Sequence, residues 1–133
     1  MLEGLAARLA AETDLTDEQR ALLRSLQDRM DQAEASNDVD RYNNENFQYH
    51  AAICAIANNR HVAQSLERVR LPLYRLQLPR SFSSDSMASS NRDHQVITSS
   101  ILAGKPDAAE AAMRAHVHAG NLHVARLAEE HFR

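Results

Sequence analysis

Asn46, His50, His94 and His116 are polar residues at positions where helical spacing calls for apolar ones. In the segment 42–57, Asn46, His50, Ile53 and Ala57 recur at the spacing of one helix face. Met87, His94, Ile97 and Ile101 form a second such stripe, and Ala109, Met113, His116, Gly120 and Leu127 a third. Three imidazoles and one amide are therefore expected to point into a helical interior, where each needs a partner. A single metal ion satisfies all four, and imidazole is the commonest metal-ligating side chain. Asn46 and His50 are one turn apart and can reach the same ion, while His94 and His116 arrive from two other helices. Three imidazoles and an oxygen suit one divalent transition metal, with Zn, Ni, Fe, Mn and Co all admitted. The competing reading makes each histidine an ordinary interior residue hydrogen-bonded to a carbonyl.

The remaining reactive side chains divide on position. His123 falls one heptad after His116 and is expected to line the same cavity or to support a ligand by hydrogen bonding. His118 is off the stripe, and His61 and His131 sit at helix ends, where solvent holds them. Lone Cys54 is one position from the stripe residue Ile53 and reads as a small core residue. Arg68, Arg70, Arg75 and Arg80 form a basic series around Pro72. Arg70 or Arg75 directed inward would pair bidentately with an organic acid.

The elements that must position these groups are helical. The chain has 133 residues with three glycines and three prolines, enough for one domain with a real core. Alanine and leucine dominate the apolar set, which favours helix over sheet. Thr16 and Gln19 make a capping box before Leu22, Leu23, Leu26, Met30 and Ala33. Ser36-Asn37-Asp38 breaks that helix and caps the next, and Asn58-Asn59 is a turn signal. Pro72 is expected to kink or split the helix carrying Val62, Leu66, Val69, Leu73 and Leu76. Pro79 and 81–86 form the longest polar connection, a helix spans about 85–103 to Gly104, and Pro106 opens the last helix. The expectation is an all-α protein: an antiparallel bundle of six to seven helices, joined by short loops around a central metal and ligand cavity. The first helix, with Leu2, Leu5, Ala6 and Leu9, begins without a capping signal, as expected of a piece of a longer protein.

In order, Asn46-x-x-x-His50, Asn59, Asp93-His94 and Ala112-Met113-x-x-His116 resemble the FCD domain. That is the C-terminal effector domain of the FadR branch of GntR-type bacterial transcription regulators. The stretch 2–11 is similar to that domain's first helix, so the resemblance covers nearly the whole of 1–133 as one ligand-binding domain. It implies an all-helical bundle with a metal on an aspartate or asparagine and three histidines, here Asn46, His50, His94 and His116. It also implies a small organic carboxylate beside the metal, a homodimer, and DNA binding only through an N-terminal winged helix-turn-helix, absent from this chain. Asn46 stands where the family more often has aspartate, and Lys105 where an aspartate is usual; Tyr49 keeps the aromatic before the helix histidine.

Composition narrows the function further. A formal net charge of −3 argues against nucleic-acid binding by this chain alone. The single cysteine fits a reducing compartment, and neither a signal peptide nor a membrane span is legible, so a cytoplasmic location is expected. The leading reading is a metal-dependent sensor of organic acids, not an enzyme, whose ligand modulates DNA binding by the parent regulator. A helical metal-dependent hydrolase is the first alternative, with Glu45 the nearest general-base candidate. A ligand-free interaction module is the second.

Overall fold

The computed structural model describes residues 2–75 and 84–131, excepting the side chains of 69–75, 124, 127–128 and 131. The described residues form six α-helices and no strand: α1 (Leu2–Glu12), α2 (Asp17–Ala35), α3 (Val39–Ala57), α4 (Arg60–Arg75), α5 (Ser84–Leu102) and α6 (Pro106–His131). The all-α expectation holds.

Local signals set the helix ends. Thr16 Oγ1 accepts the Gln19 N–H at 3.1 Å, and Gln19 Oε1 accepts the Thr16 N–H at 2.9 Å, closing the capping box of α2. Asn37, at φ 53°, ends the helix: its N–H reaches Glu34 O at 3.0 Å, and Asp38 N–H reaches Ala33 O at 2.9 Å. This is the Schellman arrangement, with asparagine in the left-handed position. Gly104 (φ 66°) does the same for α5, with bonds from Gly104 to Ile101 and from Lys105 to Ser100. Asp38 caps α3 through the Arg41 N–H, and Asn59 caps α4 through the N–H groups of His61 and Val62. Pro106 opens α6, where its missing N–H costs nothing.

Of the kink or split expected at Pro72, the split does not occur: α4 is one helix over Arg60–Arg75, the last residue described before Ser84. The α1 stripe is also displaced. Leu5 is exposed and Leu2 and Leu9 are half-buried, while Gly4, Ala6, Ala7, Ala10 and Ala11 face inward. Small residues win that face because α1 packs closely on α6; a Cβ on Gly4 would stand 2.5 Å from Arg114 Cγ. Leu22 likewise turns outward, while Leu23, Leu26, Met30 and Ala33 are buried as expected. Of the polar connection expected at Pro79 and 81–86, residues 84–86 instead form the first turn of α5, and the rest lies outside the described residues, as does Leu76.

α1 packs on α3, α4, α5 and α6, and α2 packs on α3 and α5. The core beneath them holds Leu23, Leu26, Met30, Tyr42, Tyr49, Ile53, Met87, Ile97, Ile101 and Met113. Helices α3, α5 and α6 carry His50, His94 and His116, and α1 lies against all three helices.

Candidate metal centre

Buried residues on α3 are Tyr42, Glu45, Tyr49, His50, Ile53 and Ile56. The stripe of Asn46, His50, Ile53 and Ala57 is thus one edge of a wider buried arc, with Asn46 and Ala57 half-buried. All four stripe residues of α5 are buried, and His94 is fully so. On α6 the stripe holds through Ala109, Met113 and His116, then ends at exposed Gly120; the Leu127 side chain lies outside the described residues.

These helices bring His50, His94 and His116 together, with one ring nitrogen of each within 4.8 Å of the others. His94 Nε2 lies 3.3 Å from His50 Nε2 and 3.0 Å from His116 Nε2. The central nitrogen carries either one proton or one lone pair, so it can make only one of these contacts as a hydrogen bond. The other contact then sets like against like in a buried site. A cation among the three lone pairs removes that conflict.

The opposite ring nitrogens of His94 and His116 have hydrogen-bond partners that leave their Nε2 lone pairs free. His116 Nδ1 lies 3.1 Å from Asp93 Oδ2, a carboxylate oxygen that accepts, so the Nδ1–H donates. His94 Nδ1 is 3.0 Å from the Tyr42 hydroxyl, which is 2.8 Å from Ser90 Oγ, so Nδ1–H can donate to Tyr42 and Tyr42 to Ser90. His50 Nδ1 has Glu3 Oε1 at 3.5 Å. Histidine metal ligands are typically held by such outer partners. Asn46 sits one turn before His50, and its Oδ1 is buried without a hydrogen-bond partner among the described residues. That orphaned oxygen and the three nitrogens fit the donor set of a divalent transition metal.

Burial pushes the His50 imidazolium down to about 4. His94 is lowered by burial and then by the charges of His50 and His116. His116 is lowered by burial and by His50, against the opposing pull of Asp93. All three are therefore neutral at physiological pH, the form that ligates metal.

Two buried tyrosines fix the orientation of the His94 turn. Tyr49 OH contacts the His94 carbonyl at 3.2 Å and Thr98 Oγ1 at 2.7 Å. Thr98 donates to Gln27 Oε1 at 2.8 Å, and Gln27 Nε2 donates to Asn91 Oδ1 at 3.0 Å. Asn91 Nδ2 in turn reaches Asp31 and Glu34 of α2. This chain of side chains joins α2, α3 and α5 behind the histidines, and burial raises both tyrosines above their ordinary pKa.

Other sequence candidates separate from the cluster. His123 is half-buried on α6, two turns beyond His116, and is not among the clustered ligand nitrogens. Arg70 and Arg75 belong to α4, but their side chains lie outside the described residues, as does that of His131. His61 and His118 are exposed, and Cys54 is half-buried against the core, with burial raising its thiol pKa. Glu45 Oε2 lies 3.5 Å from Arg29 Nη1 on α2. Sequence reasoning assigned no role to Glu3, Tyr42, Ser90 or Asp93. Asp93 adjoins His94 in the chain yet serves His116, a pairing no spacing rule shows.

The FCD domain model matches residues 1–119. The chain therefore belongs to the FCD domain family, the effector-binding domain of GntR-type transcription regulators. Among solved structures it is similar to E. coli McbR/YncC, with a TM-score of 0.76 and 20% identity. That match covers 97% of this chain and 63% of the other, so this chain spans less than two thirds of its neighbour's length. No curated protein matches the sequence. No helix among the described residues is long and apolar enough to cross a membrane.

Proposed function

We propose that this chain is a metal-dependent sensing domain whose effector is a small organic carboxylate. The observation that carries it is the convergence of three Nε2 atoms, with a polar group placed toward the Nδ1 of each. Asn46, His50, His94 and His116 would hold one divalent ion, of the set Zn, Ni, Fe, Mn or Co. The ion supplies a Lewis-acidic anchor with positions left over for ligand oxygens. His123 and the α4 arginines Arg70 and Arg75 would complete the effector pocket in a central cavity.

Membership in the FCD family supports a regulatory role, as one domain spanning 1–133 of a larger cytoplasmic protein. Operator binding would belong to an N-terminal winged helix-turn-helix, and two such domains would be held by a homodimer of this one. Glu45, the nearest base for the hydrolase alternative, has Arg29 Nη1 at 3.5 Å, which favours the regulatory reading over it. Metal would support ligand binding rather than turnover.

The test is a thermal-shift and calorimetric screen of organic acids with and without Zn²⁺ or Ni²⁺, beside metal stoichiometry of His50→Ala, His94→Ala and His116→Ala. Each substitution should lower metal content, and metal and carboxylate should each tighten the other. Unchanged stoichiometry in all three variants refutes the metal assignment. Steady turnover of small esters or lactones refutes the sensor-only role.

A further inference from the structure

Asn46 and three neutral imidazoles bring no negative charge to a divalent ion, so a bare count leaves about +2 uncompensated. The structure places two carboxylates immediately behind that donor set. Asp93 Oδ2 is 3.1 Å from His116 Nδ1, and Glu3 Oε1 is 3.5 Å from His50 Nδ1. The Glu3 side chain is 16% exposed and that of His50 is 9% exposed, so their interaction is little screened by solvent.

We propose that Glu3, from a helix that provides no ligand, is the positioning residue of His50, and that Glu3 and Asp93 together carry the anionic charge of the metal centre that Asn46 lacks. This rests on the metal-binding reading above. His50 Nδ1 is buried and has no hydrogen-bond partner among the described residues. Glu3 is the acidic group recorded beside it. A small closure of that gap makes a charge-assisted bond, which fixes the Nδ1–H tautomer and aims the Nε2 lone pair at His94 and His116. Without Glu3, the ring is free to carry its proton on Nε2 and donate it to His94, a form that cannot ligate through that nitrogen. Asp93 does the same for His116, so two of the three imidazoles become more basic donors and share their carboxylates' charge with the ion.

The experiment uses the full chain with Glu3→Gln, Glu3→Ala and Asp93→Asn, with His94→Ala as reference. In chelator-treated protein at about pH 8, long-range ¹H–¹⁵N correlation reads the tautomer of His50. Wild type should show Nδ1–H, and Glu3→Ala a raised Nε2–H population. Zn²⁺ affinity, by chelator competition, should fall roughly 10–100-fold in Glu3→Ala. Glu3→Gln should fall less, because its amide oxygen still accepts the proton but brings no charge. Metal-free melting temperature confirms that each variant folds, and near-isosteric Glu3→Gln guards against a folding defect in Glu3→Ala. An unchanged His50 tautomer in Glu3→Ala overturns the positioning role. Zn²⁺ affinity within threefold of wild type in both Glu3→Ala and Asp93→Asn overturns the charge assignment. If wild type and His94→Ala bind Zn²⁺ alike, the metal reading itself fails, while the tautomer still decides the role of Glu3.

Discussion

His50, His94 and His116 are held neutral well below the ordinary histidine value, chiefly by burial. In unfolded chain each titrates near about 6.5. The folded pKa is the lower one, so between the two values the unfolded state binds more protons. Stability of the metal-free domain is therefore full above about pH 6.5 and declines as pH falls toward about 4. Thermal melts in the presence of chelator should show that decline; a flat melting temperature from pH 7 to 4.5 contradicts it. Imidazoles of ordinary pKa would lose the metal to protons near about pH 6.5. Burial moves it down, so Co²⁺ absorbance should persist through pH 6 and collapse only as His50 protonates or the fold yields. At Asn46, substitution by aspartate adds a charged oxygen where the amide Oδ1 is unpartnered. Asn46→Asp should raise metal affinity and lower carboxylate affinity in calorimetry. Strengthening of both would contradict the electrostatic reasoning.

At the scale of elements, α5 is positioned by polar side chains as much as by its apolar stripe. Asn91 is fully buried and joins Gln27 with Asp31 and Glu34 of α2, while Thr98 links Gln27 to Tyr49. Removing one member of a satisfied buried network leaves its partners unpaired, at about 1–3 kcal/mol. Asn91→Ala should destabilise by about that amount in urea unfolding and weaken metal binding as well, because the His94 turn loses its backing. Thr16→Ala removes only the cap of α2 and should cost about 1 kcal/mol while leaving metal affinity alone. That contrast separates general destabilisation from loss of support at the site. Helix α1 offers a further readout, because it carries Glu3, whose Oε1 lies 3.5 Å from His50 Nδ1. Amide exchange in α1 should slow on Zn²⁺ addition to wild type and remain unchanged in Glu3→Ala.

For the whole molecule, α1 is the hub: it packs on α3, α4, α5 and α6 through alanines, and Arg8 bridges Asp107 and Glu110 of α6. Overfilling that contact, as in Ala7→Leu, should cost about 1–3 kcal/mol. With a net charge of −3 the domain should not retain operator DNA, and gel shifts at low salt would reveal any exception. Light scattering at micromolar concentration should give a dimer; a monomer would count against the proposed assembly.

Much of this was legible without coordinates because helices are local objects. Capping residues, the left-handed asparagine and glycine stops, and the apolar spacing of α2 and α5 are written within a few residues of where they act. Polar intrusions at His50, His94 and His116 stand out against the same period, and the ordered spacings pointed to the FCD family that the domain model matches. Tertiary structure decided what spacing cannot encode. It turned α1 by its alanines instead of its leucines, since close packing on α6 rewards small side chains over large apolar ones. It also paired Asp93 with His116 across two helices and placed Glu3 behind His50 from 47 residues away, with His50 Nδ1 and Glu3 Oε1 3.5 Å apart. Such partnerships depend on how whole helices rotate and cross, and that is settled by the packing of all six together rather than by any one period in the chain.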